Sequence, residues 1–278
     1  MSRAYARSKR MRPSSWAQEI TTATQGVLLS SGNPRLMLPP YRLNPRAPLN
    51  QGLVAKYICL PGMTGGQYWY DLCQKNKGTL TNMTSGYGWQ GALGRPGGWG
   101  AMRFDGSNDV VATASTIASG AEPFSVMLWV RQETVQNALL IGRGAWATNT
   151  AWSIYYGNGG VVIAGLIQDN SGQYINPLFA STNNGNWNHI GMIFSGVNTL
   201  TLYYNGIQKI SYTIPAFSLV TPSTSSTIAI GSNSVGAFSG YEDDISIYNR
   251  ALSAAEVAGL YEASKNQYRH EILCAWEV

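Results

Sequence analysis

From residue 52 onward the chain is written in bursts of four to nine apolar or alternating residues, each closed by Gly, Asn or Pro. The candidate strands cover 54–59, 101–104, 124–131, 138–142, 152–156, 161–167, 187–195, 199–204, 207–212, 227–230 and 240–248. Runs this short are below the roughly ten to twelve residues that a packed amphipathic helix needs. Their β-branched and aromatic content and regular spacing predict an all-β fold, a two-sheet antiparallel jelly-roll sandwich. Side chains alternate between faces along a strand. Within 124–131, therefore, Phe124, Val126, Leu128 and Val130 face the core, while Ser125, Met127, Trp129 and Arg131 face away. Trp129 is expected to line the opposite layer or a groove.

Composition supports this pattern. Only 12% of residues are charged, against 31 Gly, 16 Tyr and 9 Trp, which excludes a coiled coil or helical bundle. A hydrophobic fraction of 44% excludes a chain unable to form a core. Three cysteines, Cys59, Cys73 and Cys274, cannot make a disulfide framework or a four-cysteine metal site. Reduced, part-buried thiols are the simpler reading, with a Cys59–Cys73 bridge as the alternative. The basic start lacks the apolar stretch of about 7–15 residues that a secretory signal needs. No apolar run is long enough to span a bilayer. The expectation is a protein assembled inside the cell, or exported by lysis or an unusual route, with no membrane partner.

Charge divides the chain in two. Residues 1–50 carry eight basic residues and one acidic one, giving +7, while residues 51–278 carry eleven and thirteen, giving −2. Pro13, Pro34, Pro39, Pro40, Pro45 and Pro48 forbid a continuous helix in the basic part and favour extended chain. Arg7, Arg10 and Arg12 alternate there with apolar groups such as Leu28, Leu36 and Leu38, which a purely solvated tail would not need. The expected division is an assembly arm over 1–51, a sandwich body over 52–264, and a tail over 265–278 packing on the body or a neighbour. No groove-reading motif accompanies the arginines, so nucleic acid is not expected as a specific ligand.

Two local signals are sharp. Asn205-Gly206 between two alternating runs predicts a type I′ hairpin turn. Ser253 and Glu256 have capping-box spacing, and Leu252 with Val257 forms a staple, so a helix should run from there to about residue 264.

Several motifs, in order, resemble the LamG-like jelly rolls of the concanavalin A-like lectin/glucanase superfamily. They are Phe104-Asp105-Gly106-Ser107-Asn108-Asp109-Val110-Val111, the strand Phe124-Ser125-Val126-Met127-Leu128-Trp129-Val130, and Asn186-Trp187-Asn188-His189-Ile190. Leu202-Tyr203-Tyr204-Asn205-Gly206 and the stretch from Glu242 to Ser253 belong to the same set, and the opening Gly52-Leu53-Val54-Ala55, Tyr70-Asp71-Leu72 and Gly78-Thr79-Leu80 resemble the start of such a domain. The likeness spans about residues 52–264. It implies the fold; the superfamily hosts lectins, hydrolases, adhesion modules and virion accessory domains, so it leaves activity open. Domains of this subtype with a short basic leader resemble those of tailed-phage structural proteins.

The resemblance does not carry an active site over. Hydrolases on this fold present Glu-x-Asp-x-x-Glu along one strand, and no such run occurs. Glu242-Asp243-Asp244 has the wrong spacing, although Glu242 and Asp244 could share a face. His189 sits in a motif that resembles a structural strand of the family, and no nucleophile elbow, Walker loop or His-Glu-x-x-His motif is present. The chain is therefore expected to be no enzyme and to require no cofactor. Calcium is the one ion worth considering, with Asp105 and Asp109 in one turn and Asp243 and Asp244 approaching from a distant strand. Trp89, Trp99 and Trp146 lie in Gly- or Asn-rich loops and are the candidate glycan or partner contacts. Seven glycines in 85–100 mark that segment as an insertion reaching a neighbour or ligand.

The leading expectation is a non-enzymatic structural protein of a virus particle, capsid-decorating or tail- or fibre-associated. The arm would dock onto neighbouring subunits of a homo-oligomer or capsid lattice, with the sandwich displayed outside. The alternative is a carbohydrate-binding lectin or adhesin module, extracellular or at a cell surface.

Overall fold

The computed structural model describes residues 42–44, 46–60, 64–84, 86–91, 94–95, 98–113, 122–144, 152–168, 174–181, 185–213, 227–233, 236–265 and 273–274. The expected arm contacts Arg7, Arg10, Arg12, Leu28, Leu36 and Leu38, and the candidate contact Trp146, lie outside the described residues.

Among the described residues, two large antiparallel sheets face each other, as the sequence pattern requires of a sandwich. One has eight strands in the order Ile207–Thr213, Thr199–Tyr204, Asn188–Phe194, Phe124–Gln132, Ser239–Tyr248, Ala101–Asp105 and Gly88–Gln90, with Leu53–Tyr57 pairing Ser239–Tyr248. The other has ten strands and is built around Val162–Gln168, Trp152–Gly157, Ala138–Arg143, Ile228–Ile230 and Val110–Thr113. Each of the eleven expected runs falls on a strand. The strands that the pattern did not reveal are two to four residues long, too short to show a period. Pairing also reaches outside 52–264, where Arg42–Leu43 joins Leu273–Cys274.

The alternation along Phe124–Gln132 sorts two cores. Phe124, Val126, Leu128 and Val130 enter the space between the sheets with Trp152, Ile154, Ile190 and Met192. Met127 points outward and joins Ile193, Tyr203, Tyr248, Leu252, Val257 and Leu260 in a second cluster. The helix Ala254–Ser264 covers this outer cluster. Its capping box forms as the spacing predicts: Ser253 Oγ accepts from the Glu256 N–H, and the Ser253 N–H donates to Glu256. Burying Leu252, Val257 and Leu260 is worth roughly 5 kcal/mol, against about 1 kcal/mol for the cap. Packing holds the helix; the cap fixes where it begins. Asn205 and Gly206 take φ of 52° and 78°, the two left-handed positions of the expected turn. Cys59 and Cys73 are unbridged thiols. Among the described residues no helix is long and apolar enough to cross a membrane.

Candidate functional site

The three consecutive carboxylates of the strand Ser239–Tyr248 go to two different environments. Glu242 pairs with Val130 and Met102 and turns into the core, fully buried, with neither carboxylate oxygen hydrogen-bonded. Burial pushes its pKa well above the usual carboxylate range. A bulge follows: Asp243 pairs with Trp129, but the next pair is Ser246 with Met127, and Asp244 adopts φ of 52°. Glu242 and Asp244 therefore do not share a face, contrary to the strict alternation assumed from sequence. The extra residue keeps Asp244 on the outer side beside Asp243.

On that side the two aspartates are neutralised. Arg95 Nε donates to Asp243 Oδ2 at 3.0 Å and its Nη2 to Asp244 Oδ2 at 3.3 Å, while Lys56 Nζ pairs with Asp244 Oδ1 and donates to Ser246 at 2.8 Å. The Cys59 N–H donates to Asp243 Oδ1 at 2.9 Å, and Arg95 also reaches the Ser264 carbonyl at the end of the helix. The guanidinium lies 5.0 Å from the Trp129 ring, which stacks on Tyr261 at 5.6 Å and donates to Ser264 Oγ at 2.9 Å. His189 packs beside Trp129 with its Nδ1 unpartnered. Burial, opposed by Asp244 and reinforced by Arg95 and Lys56, pushes its pKa down to about 3, so it is neutral. Two cations balance two anions with no solvent access, which makes this a clamp tying the glycine-rich segment and the helix to the sheet. Trp129 is part of that clamp rather than of a groove.

The four aspartates considered for calcium lie in two places. Asp105 pairs with Ser239, four residues before Asp243. At about 3.3 Å per strand residue the two sites lie roughly 13 Å apart. Asp109 Oδ2 accepts the Asp105 N–H at 2.9 Å, and Asp105 Oδ1 accepts the N–H groups of Ser107 and Asn108, so this pair organises its own turn. Asp105, Asp109, Asp243 and Asp244 do not gather into one set. Among the described residues no three His, Cys, Asp or Glu side chains converge as a metal centre.

A part-buried ladder lies elsewhere on the eight-stranded sheet. Successive strands carry an alternation of aromatic and arginine side chains on the outer face: Tyr87, Arg103, Tyr241, Arg131 and Trp187. The register sets it, because Tyr241 pairs with Arg103 on one side and Arg131 on the other, and Trp187 precedes the Asn188–Val130 pair. Arg103 sits 4.7 Å from the Tyr87 ring and 5.5 Å from Tyr241; Arg131 sits 4.2 Å from Tyr241 and 5.8 Å from Trp187. Arg103 also pairs with Glu133 at 3.1 Å.

Beside Tyr87 in sequence, the edge strand Gly88–Gln90 carries Trp89, 44% exposed, and the returning segment carries Trp99, 40% exposed. Glycine makes room for them. A side chain on Gly100 would come within 2.8 Å of the Trp89 indole nitrogen, and one on Gly91 within 3.1 Å of its ring. The Trp89 ring thus rests on bare backbone; Trp89 pairs with the core residue Met102, so it stands on the opposite side of the sheet from Arg103 and Tyr241. The glycine-rich insertion backs the Trp89 ring and also carries Arg95. Sequence reading missed Arg95, Lys56, Arg103 and Arg131. The alternation of 124–131 did place Arg131 outward, which was the one available signal.

The matching model is that of the third laminin G family, described as concanavalin A-like lectin/glucanases superfamily, over residues 105–258, just over half of the chain. The chain belongs to this superfamily. Solved structures agree on the fold. The receptor-binding domain of botulinum neurotoxin D superposes with a TM-score of 0.59 at 16% identity, over 77% of this chain and 53% of that one. The binding domain of Paraclostridial Mosquitocidal Protein 1 gives 0.59 at 19% identity, over 77% and 53%. The binding domain of botulinum neurotoxin DC, solved in complex with SialylT, gives 0.60 at 14% identity, over 79% and 53%. This concanavalin A-like chain spans about half the length of those domains. No curated protein sequence matches it.

Proposed function

We propose that this concanavalin A-like domain is a non-catalytic carbohydrate-binding module. The observation that carries the reading is the exposure of Trp89 and Trp99, with the Trp89 ring backed by Gly91 and Gly100. Flat rings held open offer stacking surfaces for pyranose faces, and fixed side chains reduce the ordering cost of binding. A hydrolytic reading would need two carboxylates about 5–10 Å apart across an open cleft. Glu242, Asp243 and Asp244 are instead buried, one in the core and two in the clamp. The binding domain of botulinum neurotoxin DC in complex with SialylT, and the dependence of botulinum neurotoxin type C cell entry on two ganglioside molecules, give the reading a precedent.

The test is a glycan array with the intact chain, followed by titration of the best ligand. Trp89→Ala and Trp99→Ala should each weaken binding by roughly tenfold or more, about 1.4 kcal/mol, with unchanged melting. Binding untouched by both substitutions, or turnover of the ligand, would remove the proposal.

A second reading concerns attachment, and the +7 to −2 charge division favours it. Residues 1–51 act as an arm that docks this module onto neighbouring subunits of a larger assembly, a virus particle being the proposed case. The sandwich would then display its ligand face from the virion surface. Deleting residues 1–45 should leave the sandwich folded and remove it from purified particles, quantified by mass spectrometry. Normal incorporation of the truncated chain would refute the arm.

A further inference from the structure

Two turns among the described residues carry the dipeptide Asn-Gly, and the fold treats them differently. Both asparagines occupy the left-handed region, Asn158 at φ of 55° and Asn205 at 52°. At Asn205 the side-chain amide is engaged at both ends: Oδ1 accepts the His189 N–H at 2.8 Å, and Nδ2 donates to Asn188 Oδ1 at 3.2 Å. The glycine after it is covered as well, since a Cβ on Gly206 would meet the Tyr261 ring at 3.0 Å. The other turn lacks these protections. Asn158 and Gly159 are both exposed, and the Asn158 side chain takes no hydrogen bond among the described residues. A Cβ on Gly159 would meet nothing within 4 Å. One restraint remains: the Gly159 N–H donates to Asn137 Oδ1 at 2.7 Å, a bond between exposed groups.

We propose that Asn158 is a site of spontaneous covalent modification, deamidating to aspartate and isoaspartate, and that Asn137 is the group that restrains it. Asparagine reacts when the backbone nitrogen of the next residue attacks its side-chain carbonyl carbon. Glycine at that next position has no side chain to obstruct the approach. The Gly159 nitrogen bonds to Asn158 Cγ, the Cγ–Nδ2 bond breaks, and ammonia leaves with the Gly159 amide proton. Water, the co-reactant, then opens the succinimide ring. Addition at Cγ breaks the new bond and gives aspartate; addition at the Asn158 main-chain carbonyl breaks the original peptide bond and gives isoaspartate. The attack needs the Gly159 N–H released, and Asn137 Oδ1 holds that proton and fixes the peptide plane. Either product adds a negative charge. Isoaspartate also lengthens the main chain in the short link between the paired strands Trp152–Gly157 and Val162–Gln168. Gly160 in that link packs on Gln136, where a Cβ would fall 2.4 Å from the backbone nitrogen, so a longer chain no longer fits its seat.

The experiment keeps the intact chain at mildly alkaline pH and samples it over weeks. Chymotryptic peptides are read by mass spectrometry, with electron-transfer fragmentation to tell isoaspartate from aspartate. Asn158 should convert roughly tenfold faster than Asn205, whose two side-chain hydrogen bonds must break first. In urea the two rates should converge, because only the fold separates them. Asn137→Ala should speed conversion of Asn158 roughly fivefold, the weight of a single hydrogen bond read as a rate. Asn137→Asp keeps an acceptor oxygen and should stay near the parental rate. Circular dichroism and melting confirm that each variant is folded. Conversion of Asn158 no faster than that of Asn205 in the folded parental chain overturns the site. A rate at Asn158 unchanged in Asn137→Ala overturns the restraint.

Discussion

Replacing Glu242 by Gln should make the protein's stability less sensitive to alkali, and the size of the change follows from where Glu242 lies. Its side chain is fully buried between the sheets, next to Val130 and Met102 in register, and neither oxygen has a hydrogen-bond partner. An ionised carboxylate there would face a large desolvation cost, so the folded protein keeps it protonated and its pKa is raised. In the unfolded chain it ionises near its ordinary value of 4.5. Below that pH both states hold the proton and the group is neutral in the balance. Above it, unfolding releases a proton, so stability falls as pH rises until the folded value is reached. The slope is about 1.4 kcal/mol per pH unit. Glu242→Gln has similar shape and no charge, so it removes that slope. The assay is urea unfolding of both proteins at steps from about pH 4 to about pH 8, with stability taken as their difference. Other titrating groups cancel in that difference. It should be constant on the acid side and then rise in favour of the variant by about 1.4 kcal/mol per unit. Glu242→Met, which also removes the unsatisfied oxygens, should be stabilising by about 1–3 kcal/mol more at neutral pH. A difference that stays flat across the range would mean that Glu242 is solvated or partnered, and the reasoning would be wrong.

His189 should produce the opposite limb: its folded pKa of about 3 lies below the ordinary 6.5, so the unfolded chain takes up a proton first as pH falls. Stability should drop by about 1.4 kcal/mol per unit below pH 6.5, and His189→Gln should flatten that limb in acid unfolding curves. Arg95→Met leaves Lys56 as the one cation facing the two buried carboxylates Asp243 and Asp244 and should cost about 3–5 kcal/mol, seen as a lowered melting temperature that Asp243→Asn partly restores. Melting with calcium and with chelator should coincide, because Asp243 and Asp244 are occupied by Arg95 and Lys56. A calcium shift abolished by Asp109→Asn would instead locate an ion at the Asp105–Asp109 turn.

Where local chemistry decides structure, the sequence was readable. The alternation of 124–131, the Asn205-Gly206 turn and the Ser253–Glu256 box each rest on neighbours in the chain, and each forms. The short edge strands escaped because two to four residues cannot display a period. The bulge at Asp244 escaped because nothing local distinguishes it from a regular strand, and it reversed the inference about which carboxylates share a face. The site was legible only in part. Trp89 and Trp99 stood out by their glycine-rich surroundings, whereas the Arg103–Tyr241–Arg131 ladder depends on a register between strands more than 100 residues apart. The clamp was hidden for the same reason: Arg95 and Asp243 are separated by 148 positions.

The nine tryptophans offer the most direct test of carbohydrate binding at Trp89 and Trp99. With the intact chain labelled with 5-fluorotryptophan, each ring gives its own fluorine resonance, assigned by single Trp→Phe substitutions. Titrating the best array ligand should shift the resonances of the exposed Trp89 and Trp99 and leave those of the core residues Trp69 and Trp152 in place. A ligand that binds while Trp89 and Trp99 stay unmoved, or that perturbs the core tryptophans instead, would contradict the claim that these two rings form the binding site.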